Sequence, residues 1–198
     1  MWRLDPPRLA CASTVVGGGI GARRWVLNAQ VPADEPPADP GRFLVGLARA
    51  LGCSGAGVGF LTAAPVDAWS DGASGDVTAI ATVGLTHPAW AAAPSPAESA
   101  SPPAAGTVNV VAFVPARLAP AALVNAVMTV TEAKTQALLE HGVPGTGTPT
   151  DAACVLAPTA GAAEPYAGPR SRLGGHLARA VHAAVAAGVE RHGWTEAR

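Results

Sequence analysis

APAALVNAVMTVTEAKTQALLEH, residues 119–141, is the clearest helical segment of the chain and organises the segments around it. Pro120 suits the first turn of a helix, and Gly142 follows the last turn, where glycine commonly ends a helix. Runs of apolar and β-branched residues flank this segment at 107–114 and 152–156 and predict strands. The helix therefore connects two strands of one predicted sheet.

The same order of elements is predicted twice along the chain. The first set is a hairpin of strands 9–16 and 24–31, a short amphipathic helix at 41–51 and a strand at 56–64. The second set is strands 76–85 and 107–114, helix 119–141 and strand 152–156. A final helix at 171–189 follows the second set. This ββαβ, ββαβ, α order suggests a duplicated unit. We expect an α+β fold in one domain over residues 1–198, with a mostly antiparallel sheet covered by helices and a low-complexity loop at 91–105.

Composition excludes several classes of protein. The chain has 198 residues, of which 49% are hydrophobic and 14% charged, and its net charge is −1. The hydrophobic fraction is enough for a full core. The net charge gives no sign of a basic face for nucleic acid or of a polybasic membrane anchor. Proline and glycine interrupt the apolar stretches, so we expect neither a secretory signal nor a transmembrane helix. Three scattered cysteines, Cys11, Cys53 and Cys154, fit reduced thiols in a cytoplasmic protein.

Lys134 is the single lysine of a chain that has twelve arginines. It falls within the apolar stripe formed by Leu123, Val127, Val130 and Leu138 at helical spacing. A lysine in this position either serves a function that needs a buried ammonium or extends along the surface to reach water. Glu132 lies two positions earlier, on a different side of the helix, where a solvated carboxylate is the alternative to a catalytic one.

The loop 145–151, GTGTPTD, places three hydroxyls and a carboxylate just before a predicted strand. Such a loop can hold a polar ligand through its hydroxyls and backbone N–H groups, with Asp151 as base or orienting group. The alternative is an ordinary turn in which threonine and aspartate bond their own backbone.

Other familiar site motifs are missing from the sequence. Gly17–Gly19 does not precede a helix and fits a hairpin turn rather than a phosphate-binding loop. The five histidines and three cysteines show no metal-ligand spacing, and no GxSxG nucleophile elbow is present. Cys154 is expected to be a core residue of its strand. We expect no protein-bound metal.

Several segments together resemble the adenosylcobinamide amidohydrolase family. The matching segments are Gly17–Gly18–Gly19 with Asn28 and Val31, FLTAA at 60–64, VTAIATVGLTHP at 77–88, GTVNVVAFV at 106–114, TEAKTQAL at 131–138, GTPTDAACV at 147–155 and YAGPRSRLGGHLARAV at 166–181. Their order spans nearly the whole chain. Lys134 and the loop 145–151 both fall within the most specific of them.

The resemblance implies hydrolysis of the amide that joins a propionate side chain of the corrin ring to aminopropanol in adenosylcobinamide. The products would be adenosylcobyric acid and 1-aminopropan-2-ol, and cobyric acid can re-enter cobalamin synthesis. The partner would be a small corrinoid whose cobalt belongs to the substrate, with no protein cofactor. Assembly into a homo-oligomer stays open.

Amide hydrolysis requires an activated nucleophile, a stabilised oxyanion and a proton for the leaving amine. On this chemistry, Asp151 or Glu132 could activate water, and Lys134 could stabilise the oxyanion or protonate the amine. Thr148 and Thr150 could donate hydrogen bonds, or one of them could be the nucleophile. The predicted substrate-binding residues are Asn28, Thr62, His87, Asn109, Thr148, Thr150, Arg172 and His176.

Two alternatives to this activity stay open. One is a corrinoid-binding protein without hydrolytic activity, and the other is a hydrolase of the same family that acts on a different corrinoid or amide. A pure binding protein would not need Glu132, Lys134 and Asp151 together.

Overall fold

The computed structural model describes residues 1–93 and 106–192, so most of the predicted loop 91–105 lies outside the described residues. The elements are β1 (Trp2–Ala12), β2 (Gly19–Gln30), α1 (Pro40–Ala50), β3 (Val58–Thr62), β4 (Ser70–Ser74), β5 (Val77–Gly84), β6 (Thr107–Phe113), β7 (Arg117–Leu118), α2 (Pro120–Glu140), β8 (Ala152–Ala157), β9 (Ala163–Glu164) and α3 (Arg172–His192). No helix within these described ranges is long and apolar enough to cross a membrane.

Local sequence signals set the helix ends. The Asp39 carboxylate accepts a hydrogen bond of 2.8 Å from the Arg42 N–H and caps α1, which begins at Pro40. The Ser171 hydroxyl accepts one of 3.0 Å from the Gly174 N–H at the start of α3, as the sequence predicts. After α2, Gly142 has a φ of 70°, a left-handed conformation that glycine adopts without steric cost.

Seven strands form one mixed sheet in the order β3-β2-β1-β8-β6-β5-β4. The pairs β1–β2, β1–β8, β4–β5 and β5–β6 are antiparallel, whereas β2–β3 and β6–β8 are parallel. The α+β fold with a mostly antiparallel sheet is therefore confirmed. In each predicted ββαβ set, the first strand is antiparallel to the second, and the third is parallel to the second beyond the connecting helix.

The structure also differs from the sequence-based expectation. β4 was not predicted, because its sequence, SDGAS, lacks the β-branched and aromatic residues typical of strands. β1 begins at Trp2 rather than at residue 9, and its pairing with β2 shifts register between Arg3 and Arg8, on either side of two prolines. The two-residue strands β7 and β9 form a small separate sheet and were not predicted either.

The sheet curls, so that strands distant in its order come into contact. Asn28 on β2 and Asn109 on β6 share a hydrogen bond of 3.1 Å although β1 and β8 lie between those strands. A flat sheet would place β2 and β6 about 14 Å apart. The concave face encloses a core that includes Val26, Phe60 and Leu156.

The helices cover the outer face of the curled sheet. α2 and α3 pack together over the second half, where Leu123, Leu138 and Leu177 are fully buried. α1 covers β2 and β3 through Leu44 and Ala48. The concave face is thus the place where side chains of both halves meet.

Gly72 of β4 lets α3 approach the sheet closely. A Cβ at this position would clash with the Ala180 carbonyl oxygen and lie 2.6 Å from the Ala184 nitrogen, both backbone atoms of α3. We therefore expect Gly72→Ala to lower the free energy of unfolding by about 1–3 kcal/mol, as overpacking does. Urea unfolding and the melting temperature measure this loss.

Gly46→Ala is the matched control, since a Cβ at this exposed position of α1 meets no atom within 4 Å. Alanine is the better helix former, so this variant should gain about 0.5–1 kcal/mol. An unchanged melting temperature for Gly72→Ala would contradict the close packing of α3 on β4.

Candidate active site

The site is built where the last turns of α2 lie over the start of β8. Lys134 is only 8% exposed, and its Nζ donates a hydrogen bond to Asp151 Oδ2, forming an ion pair. Asp151 directly precedes β8, the strand that α2 connects to β6. The interpretation in which Lys134 reaches out to water is therefore wrong, because its ammonium is held inside by a carboxylate.

The Asp151 carboxylate accepts four hydrogen bonds. Its Oδ1 accepts from the Val108 N–H at 2.8 Å and from the Thr148 hydroxyl at 2.5 Å. Its Oδ2 accepts from Lys134 and from the Thr148 N–H at 3.1 Å. Because a carboxylate has about four acceptor sites, all the acceptor sites of Asp151 are occupied.

The loop 145–151 is fixed to the elements around it. Thr148 Oγ1 and Thr150 Oγ1 lie 2.7 and 2.9 Å from the Gly106 carbonyl oxygen, and Thr150 Oγ1 lies 2.6 Å from Thr107 Oγ1. On the other side, Thr135 of α2 donates to the Thr146 carbonyl at 3.0 Å. The sequence left open an ordinary turn in which threonine and aspartate bond only their own backbone. Of the bonds named here, only the one from the Thr148 N–H to Asp151 is of that local kind, and the others join the loop to other elements.

Two hollows adjoin Asp151. An outer cleft of about 1030 Å³ lies next to α2, and an inner cavity of about 400 Å³ lies on the concave side of the sheet. The outer cleft is lined by residues that include Trp90, Lys134, Thr148 and Asp151. The inner cavity is lined by residues that include Thr62, Thr107, Asn109, Thr150 and Asp151. Asp151 is thus shared by both hollows.

Asn109 is the most unusual polar residue at the inner cavity. It is 3% exposed, and its Nδ2 donates to Asn28 Oδ1 at 3.1 Å and to the Leu61 carbonyl at 2.8 Å. Its Oδ1 is buried without a hydrogen bond to any described residue. Leaving such an oxygen unpaired costs free energy, so a ligand N–H or O–H at this point would be favoured.

Asn28 and Thr62 lie near Asn109. Asn28 Nδ2 donates to Thr82 Oγ1 at 3.0 Å, and the Thr62 hydroxyl accepts from the Ala64 N–H at 3.0 Å. Asn28, Thr82 and Asn109 also line a smaller hollow of about 320 Å³. The structure therefore brings together the predicted residues Asn28, Thr62, Asn109, Thr148, Thr150, Lys134 and Asp151.

Four other predicted residues are not brought to the ion pair. Glu132 is exposed on another side of α2 and does not line the outer cleft with Lys134. His87 is exposed, although its backbone N–H lies beside Gly106. Arg172 pairs with Glu164 at 3.0 Å, and His176 contacts Ser74 Oγ at 2.9 Å.

Register shows how far away Arg172 and His176 lie. Ser74, the contact of His176, lies just before the start of β5, and the start of β5 pairs with Phe113 at the end of β6. Asp151 instead contacts Val108, at the start of β6. The segment β9, which contains Glu164, meets the chain just before α2 begins, and Lys134 is fourteen residues further along that helix, about 21 Å. Both residues belong to the opposite end of the sheet.

Several residues contribute to the site without having been predicted from the sequence. Gly106 and Thr107 anchor the threonine loop, and Trp90, half exposed, lines the outer cleft. Gly106 and Thr107 belong to the segment GTVN at 106–109, which was noted for its family resemblance. Only the pairing of β6 with β8 shows that this segment lies next to Asp151.

Cys154 is a core residue, as predicted. Burial raises the pKa of its thiol to about 12, with the nearby Cys11 adding to the shift. The thiol is therefore protonated at neutral pH and is no nucleophile. Within residues 1–93 and 106–192, no three histidine, cysteine or acidic side chains cluster as metal ligands would.

Comparisons with known proteins agree with the resemblance drawn from the sequence. A family model described as adenosylcobinamide amidohydrolase matches residues 1–197. The chain is also similar to a protein of Methanosarcina mazei named adenosylcobinamide amidohydrolase, with 33% identity over 190 residues, covering 91% of this chain and 90% of that protein. The chain therefore belongs to the adenosylcobinamide amidohydrolase family and is an amidohydrolase.

Proposed function

We propose that the protein hydrolyses the aminopropanol amide of adenosylcobinamide, giving adenosylcobyric acid and 1-aminopropan-2-ol for cobinamide salvage in the cytoplasm. The observation that carries this proposal is the Lys134–Asp151 ion pair in the wall of the outer cleft. It supplies a fixed positive charge beside a space that can take part of a large substrate.

Lys134 is placed to stabilise the oxyanion of the tetrahedral intermediate. An ammonium has three N–H donors, and among the described residues only Asp151 accepts one of them. Because Asp151 also holds Lys134 in position, little reorganisation is needed when negative charge develops on the substrate.

Polar groups of the inner cavity are proposed to bind substrate amides and hydroxyls. Asn109 Oδ1 would accept a hydrogen bond from a substrate N–H or O–H, while Thr62 and Thr150 provide hydroxyls beside it. Asn28 positions Asn109 through their shared hydrogen bond. The substrate carries its own cobalt, and we propose no cofactor held by the protein.

The first test is the reaction itself. Purified protein incubated with adenosylcobinamide should release 1-aminopropan-2-ol and adenosylcobyric acid, with the same rate in the presence of a metal chelator. Chromatography with mass detection measures both products. Binding of the corrinoid without product would contradict hydrolysis and favour a corrinoid-binding protein, and loss of activity with chelator would contradict the metal-free reaction.

Lys134→Met tests the role of the ammonium. Met has a similar length and suits the apolar surroundings of α2, although the lost charge leaves Asp151 with three of its four hydrogen-bond donors. We expect kcat to fall by about 10²–10³-fold, as when one oxyanion donor is removed. Lys134→Arg should also be poor, because a planar guanidinium does not replace a compact ammonium.

Kinetics and melting temperature of both variants should be compared with those of the wild-type protein. A folded Lys134→Met variant with nearly full activity would restrict Lys134 to a structural role.

Gly147 tests the position of the ion pair. A Cβ on Gly147 would clash with both Asp151 Oδ2 and Lys134 Nζ, so Gly147→Ala must displace one of them. A displacement of about 1 Å in a catalytic group costs on the order of 10²-fold in rate, and we expect kcat to fall by this factor. Gly46→Ala, remote from the site, serves as control. Unchanged kcat in Gly147→Ala would show that the pair does not act in catalysis.

A further inference from the structure

We propose that Thr148 is the nucleophile of this hydrolysis, acting through Oγ1 with Asp151 as the base that accepts its proton. This inference rests on the proposed function and adds a catalytic residue to it. The alternative is that a water molecule attacks the amide directly and that Thr148 only fixes the loop.

Nucleophile and base are in direct contact. Thr148 Oγ1 lies 2.5 Å from Asp151 Oδ1 and 2.7 Å from the Gly106 carbonyl oxygen. Its single proton is assigned to Asp151, the nearer and charged acceptor, since a hydroxyl that donates to a carboxylate makes the shorter and stronger bond. Lys134 holds the other carboxylate oxygen and so orients the base. A hydroxyl bonded to a base that is itself oriented by a third group is the arrangement of an activated nucleophile.

The acceptor sites of the Asp151 carboxylate are already occupied. Its four acceptor sites are filled by Val108, Thr148 and Lys134, with Thr148 donating twice. An attacking water would have to displace one of these donors before Asp151 could take its proton. The Thr148 hydroxyl already occupies the place from which a proton can pass to Oδ1.

Thr148 also lies where the substrate can reach it. Thr148 lines the outer cleft together with Lys134, so that a carbonyl carbon at Oγ1 can have its oxygen near the ammonium. Thr150 lacks this arrangement, because its Oγ1 contacts Thr107 and the Gly106 carbonyl and no carboxylate. The two threonines share an anchor on Gly106 but differ in contact with the base.

The first half of the reaction forms an ester. Thr148 Oγ1 bonds to the amide carbon while its proton passes to Asp151, and the resulting oxyanion faces Lys134. The C–N bond then breaks, and the leaving nitrogen takes the proton from Asp151. The products of this half are free 1-aminopropan-2-ol and an ester between Thr148 and the corrinoid acyl group.

The second half uses water. Ester formation removes the Thr148 hydroxyl hydrogen bond, so Asp151 Oδ1 becomes free to accept a proton from water. The hydroxide portion bonds to the ester carbon, and the bond to Oγ1 breaks as the proton returns to Thr148. The net change is amide and water to carboxylic acid and amine, with the enzyme restored.

The experiment combines trapping with matched variants. Wild-type protein turning over adenosylcobinamide in hydroxylamine should form the corrinoid hydroxamate, and acid-quenched protein should carry the acyl group on the peptide that contains Thr148. Thr148→Val, which keeps the β-branched shape, should lower kcat by about 10³-fold or more and form no hydroxamate. Thr150→Val, at a residue proposed to bind substrate, should raise KM and still form hydroxamate. Thr129→Val is the control: it removes a hydroxyl bond of 2.8 Å to the Ala167 carbonyl, away from both hollows, and should keep the wild-type kcat and form hydroxamate.

Three results would overturn the assignment. One is release of aminopropanol in hydroxylamine with the acid as the sole corrinoid product. Another is a folded Thr148→Val variant that keeps a tenth or more of the wild-type kcat. Wild-type protein that releases no aminopropanol would contradict the proposed function itself, and this assignment with it.

Discussion

A buried ammonium held against a partly buried carboxylate constrains the second half of this molecule. Lys134 and Asp151 come from different elements, and the loss of either would leave a poorly solvated charge without its partner. Asp151 also binds the Val108 N–H, so α2, the start of β6 and the loop before β8 must keep their relative positions. A crossover that packed its helix one turn along would break this arrangement. The hydrophobic contacts of α2 hold the helix on the sheet, and the ion pair fixes where along the sheet it lies.

Much of the fold could be predicted because the signals were local. Pro120, Gly142 and Ser171 mark helix ends through their own backbone and side-chain chemistry, and the structure keeps those ends. β4 could not be predicted, because its central residue is Gly72, which is unfavourable in a strand. The glycine is needed because α3 packs too close to β4 for a side chain, and this contact exists only in the folded protein. The curl of the sheet could not be predicted either, because it depends on the pairing of many strands that are distant in sequence.

The candidate site divides in the same way. Lys134 was noticeable as a single charge within an apolar stripe, and the hydroxyls of the loop 145–151 precede a strand, so both could be found from residue type and spacing. Glu132 shared a motif with Lys134, but helix geometry turns it to another side, and the structure shows it exposed. The contact between Asn28 and Asn109 joins residues 81 positions apart and has no local signal. Arg172 and His176 were grouped with the site by motif, whereas the register of β5 and β6 places them at its far end.

The order and direction of the strands have a consequence for the origin and limits of this architecture. β3, β2 and β1 run down, down and up across the sheet, and β8, β6 and β5 repeat that sequence of directions. The two units thus follow one another head to tail, with the same strand order and the same sequence of strand directions. β4 occupies the edge where a third unit would attach, and it has the direction that the third unit's strand would have. Its short length and exposed Asp71 make it a poor template for further pairing, so β4 ends the sheet with an edge that is protected against pairing with the strand of another molecule.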